Sequence, residues 1–115
     1  MTSHLNYQPI IYTTDISIAN GQTISGNINL AGTTLCGIHM PAAFTGTSVT
    51  FQTAPTLDGT YQVIQKNGVD LSYVVTASRY IVIDPADFTG TQFLRIVSSG
   101  AEAAARTLSL AVRPF

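Results

Sequence analysis

The chain has 115 residues and a mass of 12.2 kDa, which is the size of a single domain, and only 10% of its residues are charged, against about 25% in an average globular protein. Its net charge is −1 and its few Lys and Arg residues are scattered, which argues against a nucleic-acid partner because capture of phosphates needs clustered cations. No apolar run approaches the roughly 18 residues of a membrane span, so a membrane partner is also not expected.

The low charge has two interpretations. Long charged side chains are depleted at protein interfaces, so much of this surface could contact another protein. Alternatively, the composition reflects a bias towards Thr-rich strands. Cys36 is the single cysteine, which rules out an intramolecular disulfide, and the first residues lack the features of a signal peptide. We therefore expect a soluble protein that is made in the cytoplasm.

The N-terminal part of the chain reads as an extended segment. Tyr7–Ile18 has strand-like residues but is interrupted at Pro9, which cannot donate to a ladder and favours a sheet edge or a free arm. We assign residues 1–18 to an N-terminal arm or edge strand and residues 19–115 to a β-sandwich domain. The next strand is predicted over Thr23–Leu30. Its apolar face is expected to contain Ile24, Gly26, Ile28 and Leu30.

Period-two alternation of apolar and polar residues continues to the end of the chain. The segment Ala101–Arg106 has helical propensity, but six residues are too few for a stable helix and we expect a hairpin loop there. The pattern predicts an all-β fold: a two-sheet β-sandwich, jelly-roll or Ig-like, of about eight to nine antiparallel strands. The further strands are predicted over Leu35–Met40, Ser48–Thr53, Tyr61–Gln65, Val69–Thr76, Arg79–Asp84, Gln92–Ser98 and Arg106–Arg113.

Two local signals support these strands. Lys66-Asn67-Gly68 is expected to close a hairpin into Val69–Thr76. In the last strand Leu108, Leu110 and Val112 alternate with Thr107, Ser109 and Ala111.

A short connector occurs twice between strand-like runs. Pro41–Thr47 recurs 44 residues later as Pro85–Thr91 with six of seven positions identical. A repeated strand–connector–strand unit predicts an internal pseudo-repeat, with two similar halves after the N-terminal strand. The same shift carries Thr23–Leu30 onto Asn67–Val74 and Tyr61–Gln65 onto Ala105–Ser109.

The second copy of this connector carries the signals of a single helical turn. Asp84 is placed to cap it, Pro85 occupies its first position, and Phe88 is expected to fill the end of the core. Gly90 permits a positive φ before the next strand. The first copy has Met40 where the cap should be, so we expect its turn to be less well fixed.

The residues argue against catalysis and against a metal site. The histidines are His4, near the start of the chain, and His39, which is three residues from Cys36 and would point to the opposite face of a strand. Most of the aspartates stand in turn positions, where the side chain bonds nearby backbone. No nucleophile elbow or phosphate-binding loop is present. We expect no enzymatic activity, no catalytic or metal-binding residues and no cofactor.

Aromatic residues near both ends of the chain are the best candidates for contact with another protein. The tyrosines at 61, 73 and 80 are more simply core or edge residues, whereas those at 7 and 12 lie in a segment with little reason to be buried by its own domain. A terminal aromatic is costly in water unless it docks. The candidate interface residues are Leu5, Tyr7, Pro9, Ile10, Tyr12, Arg113 and Phe115.

Several motifs in the last two-thirds of the chain carry a family resemblance. They are Phe44–Gln52 (Phe-Thr-Gly-Thr-Ser-Val-Thr-Phe-Gln), Asp58–Tyr61 (Asp-Gly-Thr-Tyr), Ala77–Tyr80 (Ala-Ser-Arg-Tyr), Pro85–Gly90 (Pro-Ala-Asp-Phe-Thr-Gly), Phe93–Arg95 and Ala105–Leu108. The pattern resembles small β-sandwich virion proteins of tailed bacteriophages, most of all head decoration (auxiliary capsid) proteins. The resemblance implies a homotrimer that binds the major capsid protein on the outer capsid surface, made in the host cytoplasm. For such a protein we expect Leu5–Tyr12 to be a capsid- or subunit-docking strand added to another sheet edge.

Two other functions fit the same composition. One is a carbohydrate-binding or adhesion module of a phage fibre, which would need exposed aromatic residues with Asn, Gln and Asp beside them. The other is a structural subunit of the tail or connector. The absence of Trp weakens the carbohydrate hypothesis.

Overall fold

A computed structural model describes residues 11–114 of the chain. These residues form eleven strands and a single 3-10 helix at Pro85–Phe88, and none of their helical structure is long and apolar enough to cross a bilayer. The strands are β1 (Tyr12–Ile18), β2 (Ile28–Asn29), β3 (Thr33–His39), β4 (Ser48–Ala54), β5 (Gln62–Val63), β6 (Gln65–Lys66), β7 (Val69–Asp70), β8 (Ser72–Val74), β9 (Tyr80–Val82), β10 (Phe93–Ser98) and β11 (Arg106–Pro114).

The strands form two antiparallel sheets that pack as a β-sandwich, which confirms the predicted fold class. Sheet A has the order β1-β11-β3-β9, and sheet B has the order β2-β10-β4-β5, with β8 also paired to β4. The short hairpin β6-β7 stands apart from both sheets. Its Lys66 Nζ lies 2.8 Å from Asp87 Oδ1, which ties the hairpin to the 3-10 helix.

The core lies between the two sheets because apolar residues alternate along their long strands. In β11 the predicted alternation is confirmed in part: Leu108, Leu110 and Val112 are buried, but Ala111 is buried as well, where the register with β3 shifts between Ala111 and Val112. Val49 and Phe51 of β4 meet them from sheet B. Full burial of a side chain of this size stabilises the fold by about 1.5–3 kcal/mol. This shared core is what holds the two sheets together.

The second connector forms the capped turn that its sequence predicts. Asp84 Oδ1 accepts a hydrogen bond of 3.1 Å from the backbone N–H of Ala86, and Pro85 opens the 3-10 helix. Phe88 is fully buried and its ring lies edge-on to Phe51 at 4.9 Å between centroids. The expectation of a positive φ at the following glycine is wrong, because within residues 11–114 only Gly21, Gly32 and Gly68 have that conformation among the glycines.

The first connector is held differently. It has no helix; Ala43 takes a φ of 60°, and Phe44 is buried like its counterpart. The Glu102 carboxylate, from the loop between β10 and β11, accepts hydrogen bonds from the backbone N–H groups of Thr45 at 2.8 Å and Gly46 at 3.0 Å. A distant carboxylate therefore takes the place of the missing cap.

Glu102 is also the centre of a wider buried network. Its side chain is fully buried, and it accepts further hydrogen bonds from Ser98 Oγ at 2.9 Å and Arg106 Nε at 3.1 Å. Burial alone would raise the pKa of this carboxyl, but its hydrogen-bond donors outweigh that effect and hold the pKa below its ordinary value. The backbone of Glu102 pairs with Gly21 and Gln22, so one residue joins three segments of the chain.

The strand pairing shows how the two halves of the chain correspond, and it corrects the predicted offset of 44 positions to 45 in the strands. In sheet B, Ile28 pairs with Leu94, and Val49 pairs with Tyr73. The second pair corresponds to the first if residues of the two halves are matched at an offset of 45 positions, since Tyr73 lies 45 positions after Ile28 and Leu94 lies 45 positions after Val49.

The same offset of 45 separates two pairs of residues that lie directly opposite each other. They are Phe51 and Ile96 in sheet B, and Gly37 and Val82 in sheet A. An offset of 45 matches apolar residues with apolar residues in the strands, whereas the connectors keep an offset of 44.

The correspondence fails in sheet A. There β11 pairs with β3. At an offset of 45, residues 61–69 correspond to β11 and β9 corresponds to β3, so an exact repeat would place residues 61–69 beside β9. The segment Gln62–Val63 instead pairs with β4 of sheet B, so the predicted equivalence of Tyr61–Gln65 with Ala105–Ser109 is wrong. Within residues 11–114, no strand occupies the outer side of β9.

The prediction of one strand over Thr23–Leu30 is wrong in part. Only Ile28–Asn29 is regular strand; Ile24 is 43% exposed, and Ser25 is buried. Ser25 pairs with Ile18 of sheet A, while its N–H donates to the carbonyl of Ile96 in sheet B. The segment crosses from one sheet to the other, so its side chains do not follow a single period.

The predicted strands Tyr61–Gln65 and Val69–Thr76 are each broken into two short pieces. The hairpin between them is confirmed: Asn67 and Gly68 have φ values of 56° and 78°, as a type I′ turn requires. The break follows from divided pairing, because β5 and β8 pair with β4 while β6 and β7 pair only with each other.

Candidate interaction surfaces

The described candidate residues from the two chain ends meet at one corner of sheet A. Because β1 runs antiparallel to β11, Tyr12 pairs with Val112, and Arg113 follows at the same end. Tyr12 is 57% exposed, and Ile11 beside it is also exposed. The other candidates, Leu5, Tyr7, Pro9, Ile10 and Phe115, lie outside the described residues.

A shallow groove of about 250 Å³ lies beside this corner, between the end of β11 and the 3-10 helix. Thr34 Oγ1 donates a hydrogen bond of 2.9 Å to the Pro85 carbonyl at the base of the groove. Among the described residues that line it, only Arg113 is charged. The groove is lined by Thr34, Pro85, Ala86, Thr89, Arg113 and Pro114. This lining is suited to packing against an uncharged segment and not to acid–base chemistry.

The outer face of sheet B carries several exposed apolar side chains. Val74 on β8 is 81% exposed, and Ile24 and Val63 are exposed as well. Arg95 is the charged residue of β10; its guanidinium lies 4.0 Å from the centre of the Tyr61 ring, and its Nε donates to Asn27. Burial raises the pKa of the Tyr61 hydroxyl, and Arg95 opposes that shift.

The outer face of sheet A carries a second apolar patch along β9. Tyr80 and Val82 are both exposed, Val82 by 73%. The Tyr80 ring lies across Gly37 of β3, where a Cβ atom would come within 1.8 Å of its hydroxyl oxygen. The ring also lies 4.5 Å from the His39 imidazole, centroid to centroid. Partial burial raises the pKa of the Tyr80 hydroxyl.

Within residues 11–114, no group of three or more His, Cys, Asp and Glu side chains is placed to hold a metal ion. Cys36 is half-buried and its Sγ donates to the Ala111 carbonyl at 3.2 Å; burial raises the pKa of this thiol, and Arg113 opposes that shift. His39 is exposed against Tyr80 rather than gathered with carboxylates.

Comparison with known proteins finds no family model, no curated protein sequence and no solved structure that matches this chain. The family resemblance therefore rests on the sequence motifs alone.

Two features of the structure were not predicted from the sequence. The exposed edge of β9 depends on the order of strands, which no local pattern encodes. The burial of Glu102 had a partial signal, the Glu102–Arg106 spacing, but the spacing alone is equally typical of an exposed helical pair.

Proposed function

We propose that this chain is a structural protein of a tailed-bacteriophage virion that binds the major capsid protein on the outer capsid surface, as a homotrimer, and stabilises contacts between capsomers. The observation that carries the proposal is the corner at which Tyr12 and Arg113 meet. The described part of the chain begins and ends at this corner, where the exposed Ile11 and Tyr12 lie beside Arg113, so one patch of the surface can contact neighbouring capsid proteins. The low charge of the chain agrees with a surface made for contact.

The mechanism is a clamp. One buried core joins the two sheets, so the sandwich can hold its exposed corner against two neighbouring capsomers at once. Only the assembled shell offers both binding positions at once, so binding stabilises the shell by mass action. Opening the shell would then require the bridge to be released first.

The test is binding to purified particles. The chain is expected to bind expanded empty capsids and not free capsid subunits, and to raise the temperature at which shells open. Tyr12→Ala should weaken capsid binding by about tenfold or more, as for an aromatic hot spot. Thr13→Ala is the matched control, because Thr13 is the next residue on β1, is also exposed and points to the opposite face. Mass spectrometry that finds no copy of the chain in purified virions would exclude the proposal.

A carbohydrate-binding module is the second candidate, favoured by the exposed Tyr80 ring beside His39. Sugars stack on a ring whose orientation is fixed, and Gly37 provides the space that fixes this one. Glycan-array binding that is lost in Tyr80→Ala, together with no capsid binding, would favour this function. Capsid binding with an empty glycan array would exclude it.

A further inference from the structure

We propose that the free edge of β9 receives the N-terminal segment Leu5–Ile10 of a second copy of this chain as an added antiparallel strand. The inference concerns self-assembly and stands whether or not the protein binds capsids. It starts from a position that the fold's own repeat leaves empty among residues 11–114.

The internal repeat defines that position. In sheet B the repeat relates two strand pairs, since β2 pairs with β10 as β8 pairs with β4. In sheet A, β3 pairs with β9 through Gly37 and Val82, and β3 has β11 on its other side. The matching place beside β9 has no strand from residues 11–114, because residues 61–69 form β5, β6 and β7 instead. Sheet A is therefore one strand short of its own symmetry.

The backbone of β9 is ready to bond a strand at that place. Arg79 and Ile83 bond to β3, through the Met40 N–H to Arg79 carbonyl bond and the Ile83 N–H to Cys36 carbonyl bond. Alternate residues of a strand bond to opposite sides, so the N–H and C=O groups of Tyr80 and Val82 face the free edge. The Tyr80 ring folds back over β3 and so leaves the edge unobstructed.

The edge also lacks the usual protection against pairing. Natural edge strands carry charges that discourage added strands. At the opposite edge of sheet A, β1 carries the exposed Asp15, and Ser25 covers part of its length by pairing with Ile18. In β9 the exposed residues are Tyr80 and Val82, and the charged residues Arg79 and Asp84 flank the strand without lying within it. Of the two edges of sheet A, β9 is the one suited to accept a strand.

The segment Leu5–Ile10 fits this acceptor in sequence. It has no charge, and Leu5 and Tyr7 alternate with Asn6 and Gln8, which is the pattern of a strand with one apolar face. Pro9 confines such a strand to the outermost position of a sheet, and a strand added to the free side of β9 would be outermost. Main-chain bonds to an exposed edge are a common mode of peptide recognition.

The segment must come from another copy. A strand antiparallel to β9 would run in the same direction as β1, so its last residue would lie at the end of the sheet opposite to Tyr12. Ile11 alone cannot span the sheet, because one residue covers at most about 3.6 Å. Exchange of arms around a ring would give a closed cyclic oligomer.

The experiment measures self-association of the full chain by sedimentation equilibrium. Tyr7→Pro removes a strand donor within the segment and should weaken association at least about tenfold, whereas Thr2→Pro, the same change outside it, should not. At the acceptor, Val82→Lys should weaken association to a similar extent. Val74→Lys is its control, because Val74 is a similarly exposed valine on sheet B.

Hydrogen exchange identifies the occupant. The amides of Tyr80 and Val82 should be protected in the assembled full chain and exchange freely in Tyr7→Pro. Association that survives Tyr7→Pro but is lost in Val82→Lys would mean that two β9 edges pair with each other, which overturns the proposal. The proposal is also overturned if the chain stays monomeric at every concentration, or if Val82→Lys leaves its association unchanged.

Discussion

Glu102 Oε1 accepts a hydrogen bond of 2.8 Å from the backbone N–H of Thr45, 57 positions earlier in the chain. The second carboxylate oxygen bonds Gly46 in the same connector. In the second connector the corresponding role belongs to Asp84, which caps its own turn. Two nearly identical connectors are thus held by carboxylates from different places, one local and one distant.

Removing the charge of Glu102 should destabilise the protein strongly. In Glu102→Gln, an amide N–H₂ must face one of the donors that now bond the carboxylate, and Arg106 loses its ion pair. We expect the free energy of unfolding to fall by about 3 kcal/mol, as when one partner of a buried pair is removed. Chemical denaturation measures the change.

Asp58→Asn is the control for this substitution, since Asp58 is exposed in a turn. The same loss of one negative charge there should change the free energy of unfolding by no more than about 0.5 kcal/mol. Equal effects of the two substitutions would mean that net charge, and not the network around Glu102, sets the stability.

The same network predicts how stability depends on pH. The folded state holds the pKa of Glu102 below its ordinary value of 4.5, so its stabilising contribution is fully present above that value. It is lost as the pH falls through the lower folded pKa. The stability difference between the wild type and Glu102→Gln should therefore be constant near neutral pH and shrink below about pH 4.5. A difference that grows with acidity would contradict the assignment.

The cap of the second connector can be tested by itself. Asp84→Ala removes the acceptor of the Ala86 N–H and should lower the free energy of unfolding by about 1 kcal/mol. Asp84→Asn keeps an oxygen acceptor at the same place, so it should retain most of the stability. If both substitutions have the same effect, the charge and not the hydrogen bond is responsible.

Features encoded by neighbouring residues could be predicted from the sequence. The capped turn at Pro85–Phe88, the Asn67-Gly68 hairpin and the burial of Leu108 and Leu110 in β11 each depend on residues within a few positions of one another. The two-sheet fold followed from these local signals, because alternating strands joined by tight turns have few ways to bury one face.

Features that depend on which strands meet could not be predicted. Ser25 is buried, and Ile24 is exposed, because the segment crosses between sheets, a path that its own alternation does not encode. The offset of 45 arises from strand register, whereas the connectors that reveal the repeat keep an offset of 44. For the candidate interface, the sequence supplied residues at both chain ends, and the pairing of Tyr12 with Val112 brought the described ones to one corner.

The close approach of the Tyr80 ring to Gly37 predicts a coupled effect of two substitutions. In Gly37→Ala the new Cβ would lie 1.8 Å from the Tyr80 hydroxyl oxygen and 2.2 Å from Cζ, so the ring must leave its place. The loss of this packing should lower the free energy of unfolding by about 1 kcal/mol. In a Tyr80→Ala background the space is free, and replacing a strand glycine should instead stabilise the protein by about 0.5 kcal/mol.

A double-mutant cycle measured by thermal or chemical unfolding gives this coupling directly. Gly26→Ala is the control, because no atom lies within 4 Å of its Cβ position, and it should behave alike in both backgrounds. If Gly37→Ala has the same effect with and without the tyrosine, the ring does not rest on β3 in solution. The Tyr80 side chain would then be free to cover the edge of β9, and an added strand would have to displace it.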